Sequence, residues 1–328
     1  MNYNEAKTAF ENLFAHKMSD EAMRDFLLSM KLDESTPVEA IAAAASVMRA
    51  NAIALPIEEE LRPKLLDVVG TGGDKIGSFN ISSTVALLCS AAGAYVAKHG
   101  SRSVTSKSGS ADMFESLGVR LDLDINQNAT LLEETGFCFM FAQNHHPAMK
   151  FIMPVRKSIS EKTIFNVLGP LTNPAGVQKT MLGVFDKSFV PKIAQALKIN
   201  EAKSALVVSS REHMDEISIS DISYAARLKE GEIKEFKIDP QAYGIDRAPL
   251  EAIIGGEAKE NAQILHNIFN NQAEKAQRDI VLINAASSLM VEGMARDIQD
   301  GLEIARETLL SMKAKAKLDE IIKVSGKL

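Results

Sequence analysis

The chain has 328 residues, 46% of them apolar, with 43 acidic against 37 basic side chains and a formal net charge of −6. That length and apolar content suffice for a sizeable core and two domains, and the acidic balance argues against the broad basic face of a nucleic-acid binder. Cys89 and Cys138 sit in apolar runs outside any metal-ligand spacing, no run of roughly 18 apolar residues occurs, and the N-terminus lacks a secretion signal, so a reduced cytoplasmic protein without membrane contacts is expected.

The first 60 or so residues read as helices without strands. Ser19 looks like a helix cap, followed by Ala22, Met23, Phe26, Leu27 and Met30 at helical spacing, and Thr36-Pro37-Val38-Glu39 has a capping-box pattern ahead of the alanine-rich run to Ala50. From Leu65 short apolar runs alternate with helical ones. Strands are expected at Leu65 to Val69, Tyr95 to Lys98, Phe137 to Ala142, Met181 to Phe185 and Ala205 to Ser209, with a hairpin around Glu230-Gly231. Helices are expected near 82 to 92, 110 to 117, 125 to 135 and 188 to 197, then from Glu257 to Asn270 and Asp279 to Met294, with a lysine-rich, solvated helix at the C-terminus. This alternation predicts an α/β fold with a mostly parallel central sheet flanked by helices, and ligands gathered at the carboxyl ends of the strands.

Four segments carry chemistry. Gly70-Thr71-Gly72-Gly73-Asp74 follows a strand and leads through Ser78-Phe79-Asn80-Ile81-Ser82-Ser83 into a helix. Its glycines free backbone N–H groups for phosphate, yet it is neither a Walker loop nor a dinucleotide GxGxxG. Lys98-His99-Gly100-Ser101-Arg102-Ser103, with Thr105 to Ser110 after it, offers cationic and hydroxyl donors that phosphate oxygens accept. Asp215-Glu216, shortly after a strand, has the oxygen ligands that Mg²⁺ prefers. Arg156, ahead of Asn166-Val167-Leu168-Gly169-Pro170-Leu171-Thr172-Asn173-Pro174, presents a fork suited to a carboxylate. The His145-His146 pair has no further ligand at metal spacing and reads as loop structure.

These motifs, in this order and nearly from end to end, closely resemble the anthranilate phosphoribosyltransferase family. The resemblance implies a small all-helical domain, residues 1–63 with a contribution from about 160–178, hinged to a larger α/β domain, residues 64–328, and a homodimer formed through the helical domains. It also implies transfer of phosphoribose from phosphoribosyl diphosphate to anthranilate with Mg²⁺. Carried over by position, Gly70, Gly73, Asp74, Ser78, Asn80, Ile81, Ser82, Ser83, Lys98, His99, Gly100, Ser101, Arg102, Ser103, Val104, Thr105, Ser106 and Ser110 would contact phosphoribosyl diphosphate. Gly70, Ser101 and Arg156 would contact anthranilate, and Ser82, Asp215 and Glu216 would match the magnesium sites. No residue is expected as an acid or base. Two departures stand out: Ser101 replaces the family's usual asparagine, and Ser209 to His213 lacks the common glycine-rich form. The Asp215-Glu216 pair and Leu171 to Pro174 favour the transferase over a same-fold pyrimidine nucleoside phosphorylase.

Overall fold

The structure, a computed structural model, describes residues 1–103 and 107–328; the contacts expected at Val104, Thr105 and Ser106 lie outside the described residues. Three helices open the chain: α1 (Tyr3–Phe14), α2 (Asp20–Ser29) and α3 (Val38–Ala50). Ser19 caps α2 as its sequence indicates, its Oγ accepting from the Ala22 N–H at 3.2 Å. The capping box expected at Thr36 to Glu39 does not form. Pro37 occupies the cap position without a side-chain bond, while the Thr36 hydroxyl donates to the Lys31 carbonyl and accepts from the Asp33 N–H, closing the preceding turn instead.

The α/β part runs β1 (Leu65–Gly70), α4 (Ile81–Ala92), β2 (Tyr95–Gly100), α5 (Ser110–Ser116), α6 (Ile125–Thr135) and β3 (Phe137–Phe141). The short α7 (Ala142–His145), then α8 (Met149–Lys157) and α9 (Phe165–Leu168), return the chain to β4 (Lys179–Gly183). There follow α10 (Val190–Ile199), β5 (Ser204–Ser210) and the hairpin β6 (Ser223–Lys229) and β7 (Glu232–Ile238). Four helices close the chain: α11 (Ala258–Phe269), α12 (Lys275–Glu292), α13 (Ile298–Leu310) and α14 (Lys313–Ser325). Among the described residues no helix is long and apolar enough to cross a membrane.

The seven strands lie in the order β3-β2-β1-β4-β5-β6-β7, parallel from β3 to β5 and antiparallel through β6 and β7. The chain steps outward from β1 to β3 and then returns past β1 to β4. Strand order therefore reverses between β1 and β4, which leaves a crevice at their carboxyl ends, where Gly70 pairs with Gly183.

Period-two alternation divides the strands among three cores, the smallest holding Leu65, Ala97, Cys138 and Met140 of β1 to β3. Leu66, Val68, Val96 and Met181 face a core completed by α4, α12 and α13, whereas Leu182, Val184 and Val207 face one shared with α1, α3, α8, α9 and α10. The C-terminal helix expected as solvated is only half so. Ala314, Leu318 and Ile321 of α14 are buried in the first core, because they recur on one face while the lysines take the other.

Candidate active site

Beyond β1 the chain turns on glycine: Gly72 and Gly73 hold φ of +67° and +77°, in the left-handed region that other residues avoid. Gly70 and Gly183 end adjacent strands, and a Cβ on either would overlap Asp215. Their lack of side chains is what lets Asp215 sit across the crevice. Its carboxylate accepts from the Gly72 N–H at 2.7 Å, so one loop amide expected to face phosphate is committed to Asp215. The Asp215 loop is in turn anchored by α12, where the Asn284 side chain accepts from the Ile217 N–H and donates to the Ile217 carbonyl, both at 2.9 Å.

Asp74, Asp215 and Glu216 converge, with one carboxylate oxygen of each lying within 4.8 Å of the others. Glu216 Oε2 is buried and has no hydrogen-bond partner among the described residues. Burial, and then the Asp215 charge, raises the Asp74 carboxyl to about 6; burial, Asp215 and Asp74 together push Glu216 well above the usual range. Lys98 on β2 stands beside them. Its Nζ donates to the Val68 carbonyl at 2.6 Å and to Ser82 Oγ at 3.5 Å, and burial lowers its pKa to about 8 against the pull of Asp67, Glu216 and Asp215. Crowded carboxylates with an orphaned oxygen fit a hard divalent cation. Of the three expected metal positions, Asp215 and Glu216 belong to this cluster, Ser82 places its hydroxyl beside Lys98, and Asp74 is the third carboxylate.

The run from Asn80 to Ser83 splits by helix geometry. Ile81 and Ser83 are fully buried, so their side chains face the core, while Asn80 and Ser82 stay partly exposed. Asn80 is held on both sides of its amide: Oδ1 accepts from Asn261 Nδ2 at 2.8 Å and Ser108 Oγ at 3.2 Å, and Nδ2 donates to the Ser108 carbonyl at 3.2 Å. Ser78 bridges to Ile254. In the second phosphate segment Gly100 ends β2 so close to Phe139 and Ser110 that a Cβ would crowd both, and Ser101 Oγ donates to the Arg102 carbonyl at 3.0 Å. Arg102 pairs with Asp112 at 2.8 Å and Glu115 at 2.9 Å.

On the other face of β2, His99 meets His146, ring centroids 5.1 Å apart. Burial, with a smaller push from a neighbouring imidazole, lowers His99 to about 3 and His146 to about 4; both rings are neutral at pH 7, each with a buried Nε2 that has no partner among the described residues. The His145-His146 pair read as loop structure therefore divides: His145 ends α7 with Nδ1 donating to the Ile53 carbonyl at 2.8 Å, and His146 faces His99. Asp67, a charge inside an apolar strand, accepts from Asn173 Nδ2 at 2.7 Å and from the His99 N–H at 3.4 Å. Asn173 Nδ2 also reaches the Ala97 carbonyl at 2.8 Å, so this part of the Asn166 to Pro174 motif ties β1 to β2.

Arg156 lies half-buried on α8, its guanidinium 5.7 Å from the Phe165 ring centroid and Nη1 4.0 Å from Met153 Sδ. Burial alone lowers its pKa, for among the described residues no carboxylate stands near it. Sequence reading missed Asp112 and Asn261, had Asn173 only as part of the Asn166 to Pro174 motif, and took His146 for loop structure. Asp112 had a legible signal, three residues after Gly109 at the spacing of a capping box; Asn261 had none, since its partner Asn80 is remote in the chain.

The model of the glycosyl transferase family, a/b domain, matches residues 62–315. A relative from Methanobrevibacter smithii named anthranilate phosphoribosyltransferase is 41% identical over 326 residues, covering 99% of this chain and 96% of its own length. Another of that name, from Xanthobacter autotrophicus, is 42% identical over 325 residues, covering 99% and 93%. Among solved structures, anthranilate phosphoribosyltransferase from Thermus thermophilus matches with a TM-score of 0.92 at 34% identity, covering 99% of this chain and 96% of that one. The Saccharomyces cerevisiae enzyme, solved in complex with PRPP and Mg, matches with a TM-score of 0.89 at 25% identity, covering 100% and 94%. With relatives of that name 41% and 42% identical over almost the whole length and a solved structure of that name matching the same fold, the chain belongs to the anthranilate phosphoribosyltransferase family.

Proposed function

We propose that this chain transfers the phosphoribosyl group of 5-phosphoribosyl 1-diphosphate to the amine of anthranilate, giving N-(5-phosphoribosyl)anthranilate and diphosphate, in tryptophan biosynthesis. The observation that carries this reading is the cluster of Asp74, Asp215 and Glu216 beside the glycine loop, where strand order reverses. These carboxylates would hold Mg²⁺, with the Ser82 hydroxyl as a further position taken from the family resemblance. When bound, Mg²⁺ would supply electrostatic stabilisation of the charge that builds on the departing diphosphate. Lys98, mostly protonated at pH 7 with its pKa near 8, adds a fixed positive charge on the same side of the sheet. Gly73, Asn80 and Arg102 supply the donors by which the substrate's phosphates and ribose are oriented.

The aryl amine of anthranilate is neutral at pH 7 and attacks without prior deprotonation. A strong general base is not needed, and His99 and His146, with pKa values near 3 and 4, are poor ones. Arg156, which lacks a carboxylate partner among the described residues, grips the carboxylate of anthranilate, and Gly70 and Ser101 border the acceptor. We further propose that residues 1–63 with 160–178 close as a hinged unit on residues 64–328, and that two copies associate through the helical layer. Packing of the Phe10 and Phe14 rings of α1 against Phe165 of α9 supports the first, and the exposed Phe151 ring stacked on His16 at 4.5 Å supports the second.

The test is the loss of anthranilate fluorescence on mixing the protein with phosphoribosyl diphosphate and Mg²⁺, with an EDTA control. Magnesium-dependent loss is expected. A folded protein that binds phosphoribosyl diphosphate in a calorimeter and leaves anthranilate untouched would overturn the acceptor assignment.

A further inference from the structure

The chain after β2 passes through a narrow neck. The Ser103 and Gly109 N–H groups both donate to one oxygen of Asp112, Oδ2, at 3.1 and 2.9 Å, and the Ala111 N–H donates to the Ser101 carbonyl at 3.3 Å. The two sides approach so closely that a Cβ on Gly109 would overlap the backbone of Ser101, Arg102 and Ser103. The other Asp112 oxygen, Oδ1, accepts from Arg102 Nη1 at 2.8 Å. A capping residue requires only the Gly109 N–H. Asp112 takes three donors, from both sides of the neck and from the arginine that leaves it.

Glu115, one turn along α5, behaves differently. It accepts from Arg102 Nη1 at 2.9 Å and Nη2 at 3.2 Å, and its carboxylate holds no other group among the described residues. Its side chain is 59% exposed against 24% for Asp112. Asp112 cannot release Arg102 and the backbone without opening the neck, whereas Glu115 can swing into solvent and leave the guanidinium free for another anion.

We infer that Asp112 is a positioning residue that sets Arg102 and the neck for phosphoribosyl diphosphate, and that Glu115 is an exchangeable partner of Arg102 that the substrate's phosphate must displace. This rests on the reading of the site as a phosphoribosyl diphosphate site. The two carboxylates on one arginine thus have opposite effects on substrate binding. In Asp112→Asn an amide donor must face either two N–H groups or the guanidinium, so one side of the arrangement is lost. Glu115→Gln removes a competing charge and leaves the neck intact.

The experiment is steady-state kinetics with Mg²⁺ on the full chain, with calorimetric titration of phosphoribosyl diphosphate and a thermal melt of each variant. Asp112→Asn is expected to raise the KM for phosphoribosyl diphosphate about tenfold, as for loss of one charge-assisted hydrogen bond, with the KM for anthranilate unchanged. Glu115→Gln is expected to lower the KM for phosphoribosyl diphosphate about twofold, as for an exposed pair. If Asp112→Asn does not fold, the sign of the Glu115→Gln effect decides the competition, and a raised or unchanged KM there overturns it. A folded Asp112→Asn protein whose two KM values are unchanged, or move together, overturns the positioning role. A wild-type protein that does not bind phosphoribosyl diphosphate would overturn the underlying reading as well; one that binds it, with variants indistinguishable from it, would overturn this inference alone.

Discussion

Lys98 and His99 are neighbours in the chain, yet the pleat of β2 sends them to two corners of the crevice with opposite chemistry. In Lys98's corner, Asp74, Asp215 and Glu216 crowd together and one carboxylate oxygen has no partner among the described residues. In His99's corner, two buried imidazoles are neutral; elsewhere, on α8, Arg156 has no carboxylate partner among the described residues. Buried polar groups without partners cost stability, and proteins keep them where a ligand completes them. The acidic cluster is short of a cation, and Arg156 of an anion. The acidic cluster and Arg156 thus differ in the charge that would complete them.

The sharpest way to break this contrast is to neutralise the acidic corner. Asp215→Asn with Glu216→Gln is expected to lower turnover about a thousandfold or more, as for loss of electrostatic stabilisation of the leaving group, and to abolish dependence on Mg²⁺. The melting temperature without metal is expected to hold, since like charges are relieved; unchanged kinetics would show that the cluster has no metal role. Next in size, Arg156→Ala is expected to raise the KM for anthranilate roughly ten- to a hundredfold, the range for a lost charge-assisted hydrogen bond, with the KM for phosphoribosyl diphosphate within about twofold. An equal rise in both would erase the distinction between the corners.

The smallest effect concerns pH. His99 and His146 have folded pKa values below the unfolded value near 6.5, so the unfolded chain binds protons first. Their stabilisation is full above pH 6.5 and is lost as pH falls towards 4, by at most about 1.4 kcal/mol per group per pH unit. Asp74 acts in the opposite sense in the metal-free protein: its carboxyl is raised to about 6, so stability is gained as pH falls from 6 towards 4. Melting curves of His146→Phe should fall less steeply than wild type between pH 6.5 and 4.5. Parallel curves would mean that the imidazole is solvated in the folded state.

Much of this was legible in the chain. The glycine loop after an apolar strand, the carboxylates after another, and Arg156 were each visible because turn chemistry and strand ends are written over a few residues. The failures have the same origin. Thr36 looked like a cap because its four-residue window fits one, but Lys31 and Asp33 compete for its hydroxyl. The lysines of α14 looked solvated because composition was read without the face that Ala314, Leu318 and Ile321 share.

The sequence by itself determined the alternation of strands and helices, the glycine turn after β1, the Ser19 cap and the inventory of charged groups, since periodicity and turn chemistry act locally. Only the tertiary structure decided which groups meet. Asp74 joins Asp215 and Glu216 because strand order reverses between β1 and β4, and Gly70 and Gly183 leave room for a carboxylate between them. The same distinction separates His145 from His146, and it occupies Arg102 with Asp112 and Glu115. Electrostatic and hydrogen-bond partners are selected by distance in space, which no local pattern of residues records.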